Sequence, residues 1–460
     1  MFDKAGAKMQ DSQQLDCVSR SIENDRERIF QQLKELVGFH SVFGKPELES
    51  EMDAAAKWVE KALAEAGLKV NPIVTADGST VVIGTRDAQP GAPTVLLYSH
   101  YDVVPVGDVQ AWTSHPLHLT ERNGRWYGRG TADCKGNLIM HLAALRAVAA
   151  AGGTDVGLVV VVEGSEESGG AGLSELIRKK PELFTADMIL IADAGNACVG
   201  QPSLTVSLRG NARLKVTVST LEAPVHSGMY GGAAPDAVLA LMSVLSSLQD
   251  GTGRLQVEGL STPPWPGAPY PPEQFVTDAQ LLPGAQITTD PAAIADAVWA
   301  QCSFAVTGIS ATPVEQAFNV INPTAKAVLD LRVPPVLDPT EVAHKVAEHI
   351  KAHTPWGSRV EVEIDDINRG FDTDPSKPGM TALSECLTQA YGVPTTHIGM
   401  GATIPLCVEL QDAHPQAEVA IFGIEEPLCT IHSVDESVNP KEIEKIAIAE
   451  ALFLLRYHSS

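Results

Sequence analysis

Four short apolar runs constrain this chain more than any other feature. Residues 80–84, 94–99, 157–163 and 188–192 are built almost wholly from Val, Ile, Leu and their like, with GLVVVVE the most extreme. A strand with one wet face alternates polar and apolar side chains. These runs do not alternate, so both faces of their sheet must be covered. An Ala- and Leu-rich stretch at 136–151 reads as one covering helix, and amphipathic helices are expected at 21–38 and 50–66. Strands alternating with helices make this an α/β fold.

The pattern changes near residue 206. Residues 213–220, RLKVTVST, do alternate, as a half-exposed strand does. Helices at 236–248 and 339–353 and strands at 325–333 and 359–364 continue this second, α+β set. A Pro- and Gly-rich stretch at 250–312 interrupts it, with one helical run near 291–301. From 370 the apolar α/β character returns, with a helix at 380–391, a strand at 418–422 and a helix at 440–457. The expected organisation is an α/β domain with a mixed sheet, formed by 1–205 and 369–460. An α+β domain at 206–368 interrupts it. A chain of 460 residues has room for two or three domains at roughly 100–200 residues each.

Charge narrows the partners. Lys and Arg number 33 against 57 Asp and Glu, a formal net charge of −24. Such a field repels phosphate backbones and anionic lipid, which argues against nucleic-acid or membrane-surface binding. Seven scattered cysteines with no CxxC pair point to reduced thiols in a cytoplasmic protein. The first twenty residues carry no apolar leader, and no apolar run reaches the roughly 20 residues that span a bilayer.

The chemistry-bearing residues gather at strand exits, where ligands bind in open α/β sheets. His100 and Asp102 follow the 94–99 run, a spacing that lets a carboxylate orient a metal-binding imidazole. Asp133 sits in a Gly-rich turn before the 136–151 helix, where a routine helix cap is the alternative. Glu163, Glu166 and Glu167 crowd the exit of the most apolar strand, a costly arrangement unless cations neutralise it. Of the adjacent pair, one Glu would hold metal and the other act as a base. Asp193 ends the 188–192 run, and His432 lies in CTIHSVDESV. Each has an ordinary structural reading alone. Together they make a mixed N/O donor set for two divalent ions such as Zn²⁺, Mn²⁺ or Co²⁺, provided that one carboxylate bridges. No GxSxG, Walker A or HExxH sequence offers a competing mechanism.

In this order, SHYDVVP, GRGTADCKG, EGSEESGG, DAG, VHSGMYGG and IHSVDESV resemble the M20 family of metallopeptidases. That family includes cytosolic dipeptidases, carnosinase-like enzymes, carboxypeptidase G2-like enzymes and aminoacylases. The resemblance implies a two-metal hydrolase whose inserted domain acts as lid and dimerisation domain. It also implies that His100 and Asp193 ligate one ion, Glu167 and His432 the other, and that Asp133 bridges them. Asp102 would support His100, and Glu166 would be the general base that moves a proton from water to the leaving nitrogen. His226 would reach the partner subunit's active site in a homodimer. Asn319 and Arg332 resemble lid residues that hold the substrate carbonyl or carboxylate.

One segment departs from the family. Where dipeptidase-like members often carry an REGGSIP-like stretch, this chain has GMGATIP at 399–405. Thr403 keeps a hydroxyl for substrate, whereas Gly399 and Met400 replace an Arg and a Glu. A missing Glu weakens recognition of a free amino group. The long insertion at 250–312 favours the first reading, zinc-dependent cleavage of a dipeptide or similar small amide with a free carboxylate, whereas Met400 favours the alternative. The alternative is an N-acyl-amino-acid deacylase, and a catalytically silent metal-binding dimer is the third.

Overall fold

In a computed structural model, which describes residues 3–458 and the side chains of 12–458, the apolar runs lie side by side in one sheet. The reading that no apolar leader is present rests partly on residues 1–11, whose side chains lie outside the described residues. Among the described residues no helix is long and apolar enough to cross a membrane.

The sheet runs Lys69–Val74, Thr80–Arg86, Gly157–Glu163, Thr94–His100, Met188–Ala192, Glu418–Phe422, and then Ser203–Leu208. The first two strands pair antiparallel, and Thr80–Arg86 pairs antiparallel with Gly157–Glu163. The next pairings, Gly157–Glu163 with Thr94–His100, Thr94–His100 with Met188–Ala192, and Met188–Ala192 with Glu418–Phe422, are all parallel. The sheet is thus mixed, and four neighbouring strands point their carboxyl ends at one edge. His100 and Glu163 are partners in register there.

Every residue of Gly157–Glu163 and of Met188–Ala192 is buried, as expected of strands covered on both faces. The helix Lys135–Ala150 packs against Asp3–Val37 and Pro440–Arg456. It is apolar nearly all round and buries Leu138, Ile139, Met140 and Leu142, which marks an interior helix. The first helix is longer than the expected 21–38. Val18, Ile22, Ile29, Leu33 and Leu36 are all buried at helical spacing along it.

Two compact units divide the chain. One comprises residues 1–206, 373–398 and 409–460; the other comprises 207–372 and 399–408. The second is an antiparallel sheet in the order Ser303–Ser310, Thr324–Val333, Gly210–Ser219, Arg359–Asn368. Gly210–Ser219 and Thr324–Val333 alternate in burial. Their buried residues Leu214, Val216, Leu329 and Leu331 pack with Leu241 and Val244 of Ala237–Ser247 and with Val346 and Ile350 of Pro339–Ala352. Asp236 and Asp338 cap these two helices by accepting from backbone N–H groups of the first turn.

The stretch 250–312 is more ordered than its composition suggests. It holds the helix Pro272–Asp278, a 3₁₀ turn at Pro291–Ala293 and a π turn at Asp296–Ala300 in place of the helical run expected there. It ends in the strand Ser303–Ser310, which is a sheet edge and mostly exposed. With little burial to pattern it, that strand carried no periodic signal.

Candidate metal centre

The parallel strand exits, the turn before the helix Lys135–Ala150 and the loop 430–435 build the centre, all of it within the first unit; Asp133 and His432 come from the turn and the loop rather than from strand exits as expected. His100 is the last residue of its strand and is fully buried. Its Nδ1 lies 3.3 Å from Asp102 Oδ1 and 3.1 Å from the Asp102 carbonyl oxygen, both acceptors. A proton held on Nδ1 by these acceptors would leave Nε2 to offer a lone pair to a cation among the other acids. Asp102 does a second job. Its Oδ1 accepts from the Glu166 N–H at 3.2 Å and its Oδ2 from the Glu167 N–H at 3.0 Å. One buried carboxylate thus orients the imidazole and pins the turn that carries both glutamates.

Asp133 divides its two oxygens. Oδ1 is 3.1 Å from His100 Nε2, which is itself 3.3 Å from Asp193 Oδ1. Oδ2 is 2.9 Å from His432 Nε2, which is 3.1 Å from Glu167 Oε2. Ligand atoms of Asp133, Glu167 and His432 lie within 4.8 Å of one another, as do those of His100, Cys134 and Asp193. Glu166 Oε2 stands back, 3.9 Å from His100 Nε2.

The turn holding Asp133 is rigid for identifiable reasons. A Cβ on Gly136 would lie 2.0 Å from the Thr131 carbonyl oxygen, so only glycine fits there. Glu436, fully buried, accepts from the backbone N–H of Gly130 (2.9 Å), Ala132 (3.0 Å) and Asp133 (3.2 Å), and from Arg129 Nη1 (2.7 Å). His432 sits in a loop where Thr430, His432 and Asp435 all have positive φ, near +50° to +60°. Such backbone is held only by its surroundings. Here Asp435 accepts from Thr113 Oγ1 at 2.6 Å, and Arg129 Nη2 donates to the Ser433 carbonyl at 3.1 Å.

The electrostatics call for cations. Burial alone would raise Asp133, but hydrogen bonds to His100 and His432 outweigh it and hold the carboxyl well below the usual range. His432 is pushed up to about 10 by Asp133 and Glu167. Burial, and then the Asp193 charge, lift Glu166 well above the carboxylate range. The Oε1 atoms of Glu167 and Glu425 are buried without a hydrogen-bond partner. Without a cation the carboxylates hold both imidazoles in the protonated form; imidazole nitrogens, crowded carboxylates and orphaned carboxylate oxygens are the donor set that divalent cations satisfy on displacing those protons.

Glu425 was not visible as a candidate. Its ligand atom lies within 4.8 Å of those of Asp133 and Asp193. The signal that marked the other acids marks it more weakly: an apolar strand, Glu418–Phe422, followed after Gly423 and Ile424 by two acids. Glu163, by contrast, turns to Tyr98. Its Oε2 accepts from the Tyr98 hydroxyl at 2.8 Å, and burial lifts it to about 8. Cys134 is fully buried and donates to the Ala192 carbonyl at 3.1 Å, as a packed thiol does.

His226, Asn319, Arg332 and Thr403 belong to the second unit. His226 and Asn319 are exposed and adjacent. The Ser227 N–H donates to the Asn319 carbonyl at 3.0 Å, and His226 pairs in register with Val320. Arg332 is half-buried and held by Asp330, with Nε and Nη2 at 3.0 and 2.9 Å from Oδ2. Thr403 donates its hydroxyl proton to the Arg209 carbonyl at 2.6 Å.

The sequence profile of peptidase family M20/M25/M40 matches residues 96–456, well over half of the chain. The chain belongs to this family. It is an enzyme of a divalent-metal peptidase family. A cysteinylglycine-S-conjugate dipeptidase of Corynebacterium striatum is 52% identical over 94% of this chain and 96% of its own length. A Cys-Gly metallodipeptidase of Saccharomyces cerevisiae is 27% identical over 87% of this chain and 90% of its own. The solved structure of the yeast di-peptidase Dug1p superposes with a TM-score of 0.79 at 24% identity. The match covers 96% of this chain and 98% of that one. It shows the fold to be that of this peptidase.

Glu436 yields a first prediction. Glu436→Gln should weaken metal binding by about 10–100-fold, since it supports the Asp133 turn rather than touching an ion. It should also lower thermal stability, because removing one partner of a buried pair costs about 3–5 kcal/mol. Competition against a chromophoric chelator measures the first, and an unchanged affinity would remove Glu436 from the centre's support.

Proposed function

We propose that the protein is a cytoplasmic dipeptidase that cleaves Cys-Gly and Cys-Gly carrying a substituent on sulfur, with two divalent ions, Zn²⁺ foremost and Mn²⁺ or Co²⁺ as alternatives. The observation that carries this reading is the 52% identity to the C. striatum S-conjugate dipeptidase along nearly the whole of both chains. The deacylase reading raised by Met400 is not favoured beside it.

In this proposal His100 and Asp193 hold one ion, Glu167 and His432 the other, and Asp133 both. The division of the Asp133 oxygens between the two histidines supports this. When bound, such ions polarise the scissile carbonyl and make water acidic enough to attack near neutral pH. The protein's own part is proton handling. Asp102 fixes the His100 tautomer. Glu166, outside both donor groups, takes a proton on Oε2 and returns it to the leaving nitrogen. Burial and the Asp193 charge raise its affinity for a proton, the direction a proton-accepting base needs.

The 206–368 segment is the proposed lid and dimerisation domain. Asn319, Arg332 and Thr403 bind substrate, and His226 serves the partner's site in a homodimer. Met229, Leu239, Met242, Ile309 and Phe318 of this unit are exposed apolar side chains, which supports a face that another copy covers.

The test is a substrate panel of Cys-Gly, S-benzyl-Cys-Gly and N-acetyl-Cys-Gly on the metal-loaded enzyme. Both free dipeptides should exceed the acetylated one in kcat/KM by at least tenfold, about 1.4 kcal/mol of discrimination. Faster turnover of N-acetyl-Cys-Gly would move the protein to the deacylases.

A further inference from the structure

The segment that carries Glu166 and Glu167 is gripped by a second carboxylate besides Asp102. Residues 164–172 leave the strand Gly157–Glu163 and form a 3₁₀ turn at Glu166–Ser168. They pass through Gly169 and Gly170 in left-handed backbone, φ 93° and 59°, and enter the helix Ala171–Lys179. Asp102 accepts from the middle of this segment, at the N–H groups of Glu166 and Glu167. Asp77 accepts from both ends. Its Oδ2 takes the Ser165 hydroxyl at 3.0 Å and the Gly172 N–H at 2.9 Å. The helix needs the second contact, because its N-cap is Gly170, which has no side chain to offer.

Asp77 lies in the turn of an edge hairpin, and a turn Asp ordinarily serves its own turn. Its Oδ1 does so, accepting from the Ser79 N–H at 2.9 Å and from Thr75 Oγ1 at 2.7 Å between the strands Lys69–Val74 and Thr80–Arg86. Oδ2 reaches instead to residues 88 and 95 positions away. The fit is close, since a Cβ on Gly172 would lie 2.4 Å from Asp77 Oδ1. Burial would raise Asp77, yet the hydrogen bonds from Ser79, Thr75 and Ser165 outweigh it, and the group stays an ionised acceptor. Glu166 depends on this grip more than its neighbour does. Glu167 has a side-chain contact of its own, to His432 at 3.1 Å, whereas among the described residues no hydrogen bond holds the Glu166 carboxylate. Its place is set by the backbone that carries it.

We propose that Asp77 is a positioning residue for the general base: by holding Ser165 and Gly172 it fixes the reach of Glu166 into the metal centre, and so acts on proton transfer rather than on metal or substrate binding. Gly172 is glycine because a side chain there would push Asp77 off its contacts. The inference rests on Glu166 being the base, as proposed above.

The experiment is a double-mutant cycle on the metal-loaded enzyme with Cys-Gly, using Asp77→Asn, Glu166→Gln and the two together. Asn keeps an oxygen for the hairpin turn but turns an amide donor toward the Gly172 N–H. Asp77→Asn should lower kcat by about 10–100-fold, the cost of a small misplacement. KM, and metal affinity measured by chelator competition, should stay those of wild type. Added to Glu166→Gln, the substitution should cost no more than about twofold further, because both changes disable one step. Gly172→Ala, which displaces Asp77 without removing its charge, takes its place in the cycle if Asp77→Asn does not fold. An unchanged kcat, or losses that multiply in the double variant, would leave Asp77 a structural role only and overturn the inference. Weakened metal binding would overturn it too, by placing the effect on Glu167. Near-normal kcat in Glu166→Gln, or no cleavage by wild type, would instead overturn the proposed function, and the inference with it.

Discussion

Exchanging Glu166 for Gln is expected to lower kcat by about 10²–10⁴-fold, the span that general acid–base catalysis supplies, while metal content stays that of wild type. The two halves of this result have separate causes. Gln keeps the size of the side chain but neither accepts nor delivers a proton at neutral pH. Metal stays because Glu166 Oε2 stands 3.9 Å from His100 Nε2 and belongs to neither close donor group. The backbone contact survives too, since the residue 166 N–H still donates to Asp102. Elemental analysis alongside steady-state kinetics measures both. A Glu166→Gln protein with near-normal kcat would mean that another group moves the proton, and Glu425 would be the next to examine.

Asp133→Asn should do the opposite, abolishing turnover by emptying the centre. Asparagine offers one good oxygen donor where aspartate offers two, and no charge. Asp133 serves both histidines through different oxygens, so the loss should reach both positions rather than one. The expected result is less than one ion per subunit, and a melting temperature that no longer rises when metal is added. A protein retaining one tightly bound ion would show that the two positions are independent and that Asp133 is not shared.

Much of the first unit was legible because burial leaves its mark on composition. Strands covered on both faces are apolar at every position, and the 157–163 and 188–192 runs matched their strands end to end. His100, Glu167 and Asp193 stood out because polar residues at the ends of such strands need a reason, while Asp133 lies in the turn before Lys135–Ala150 and His432 in a loop. The structure brings them within reach of one another. Glu425 carried a weaker form of this signal, because Gly423 and Ile424 separate it from the end of its strand. Glu436 carried no such signal. It acts by collecting four donors from residues 129–133, some three hundred positions away. That is a fact of tertiary arrangement. The edge strand Ser303–Ser310 was lost for the converse reason, since exposure left it without alternation.

The order of the donors along the chain has a consequence for biosynthesis. A ribosome makes His100, Asp133, Glu167 and Asp193 early, within the first unit's leading segment. It then makes residues 207–372 in full, and only afterwards Glu425 and His432. The nascent protein therefore passes through a stage with four carboxylate and imidazole donors at hand and the strand Glu418–Phe422 not yet made. In that interval the sheet has an open edge beside Met188–Ala192, the side later closed by parallel pairing. Domains generally fold as units during synthesis, and this one is completed across an interruption. Its unpaired edge must stay out of aggregates for the whole time needed to make the second unit. Early capture of a cation by the first four donors would tie the strand exits together over that interval and help hold the half-made sheet in register.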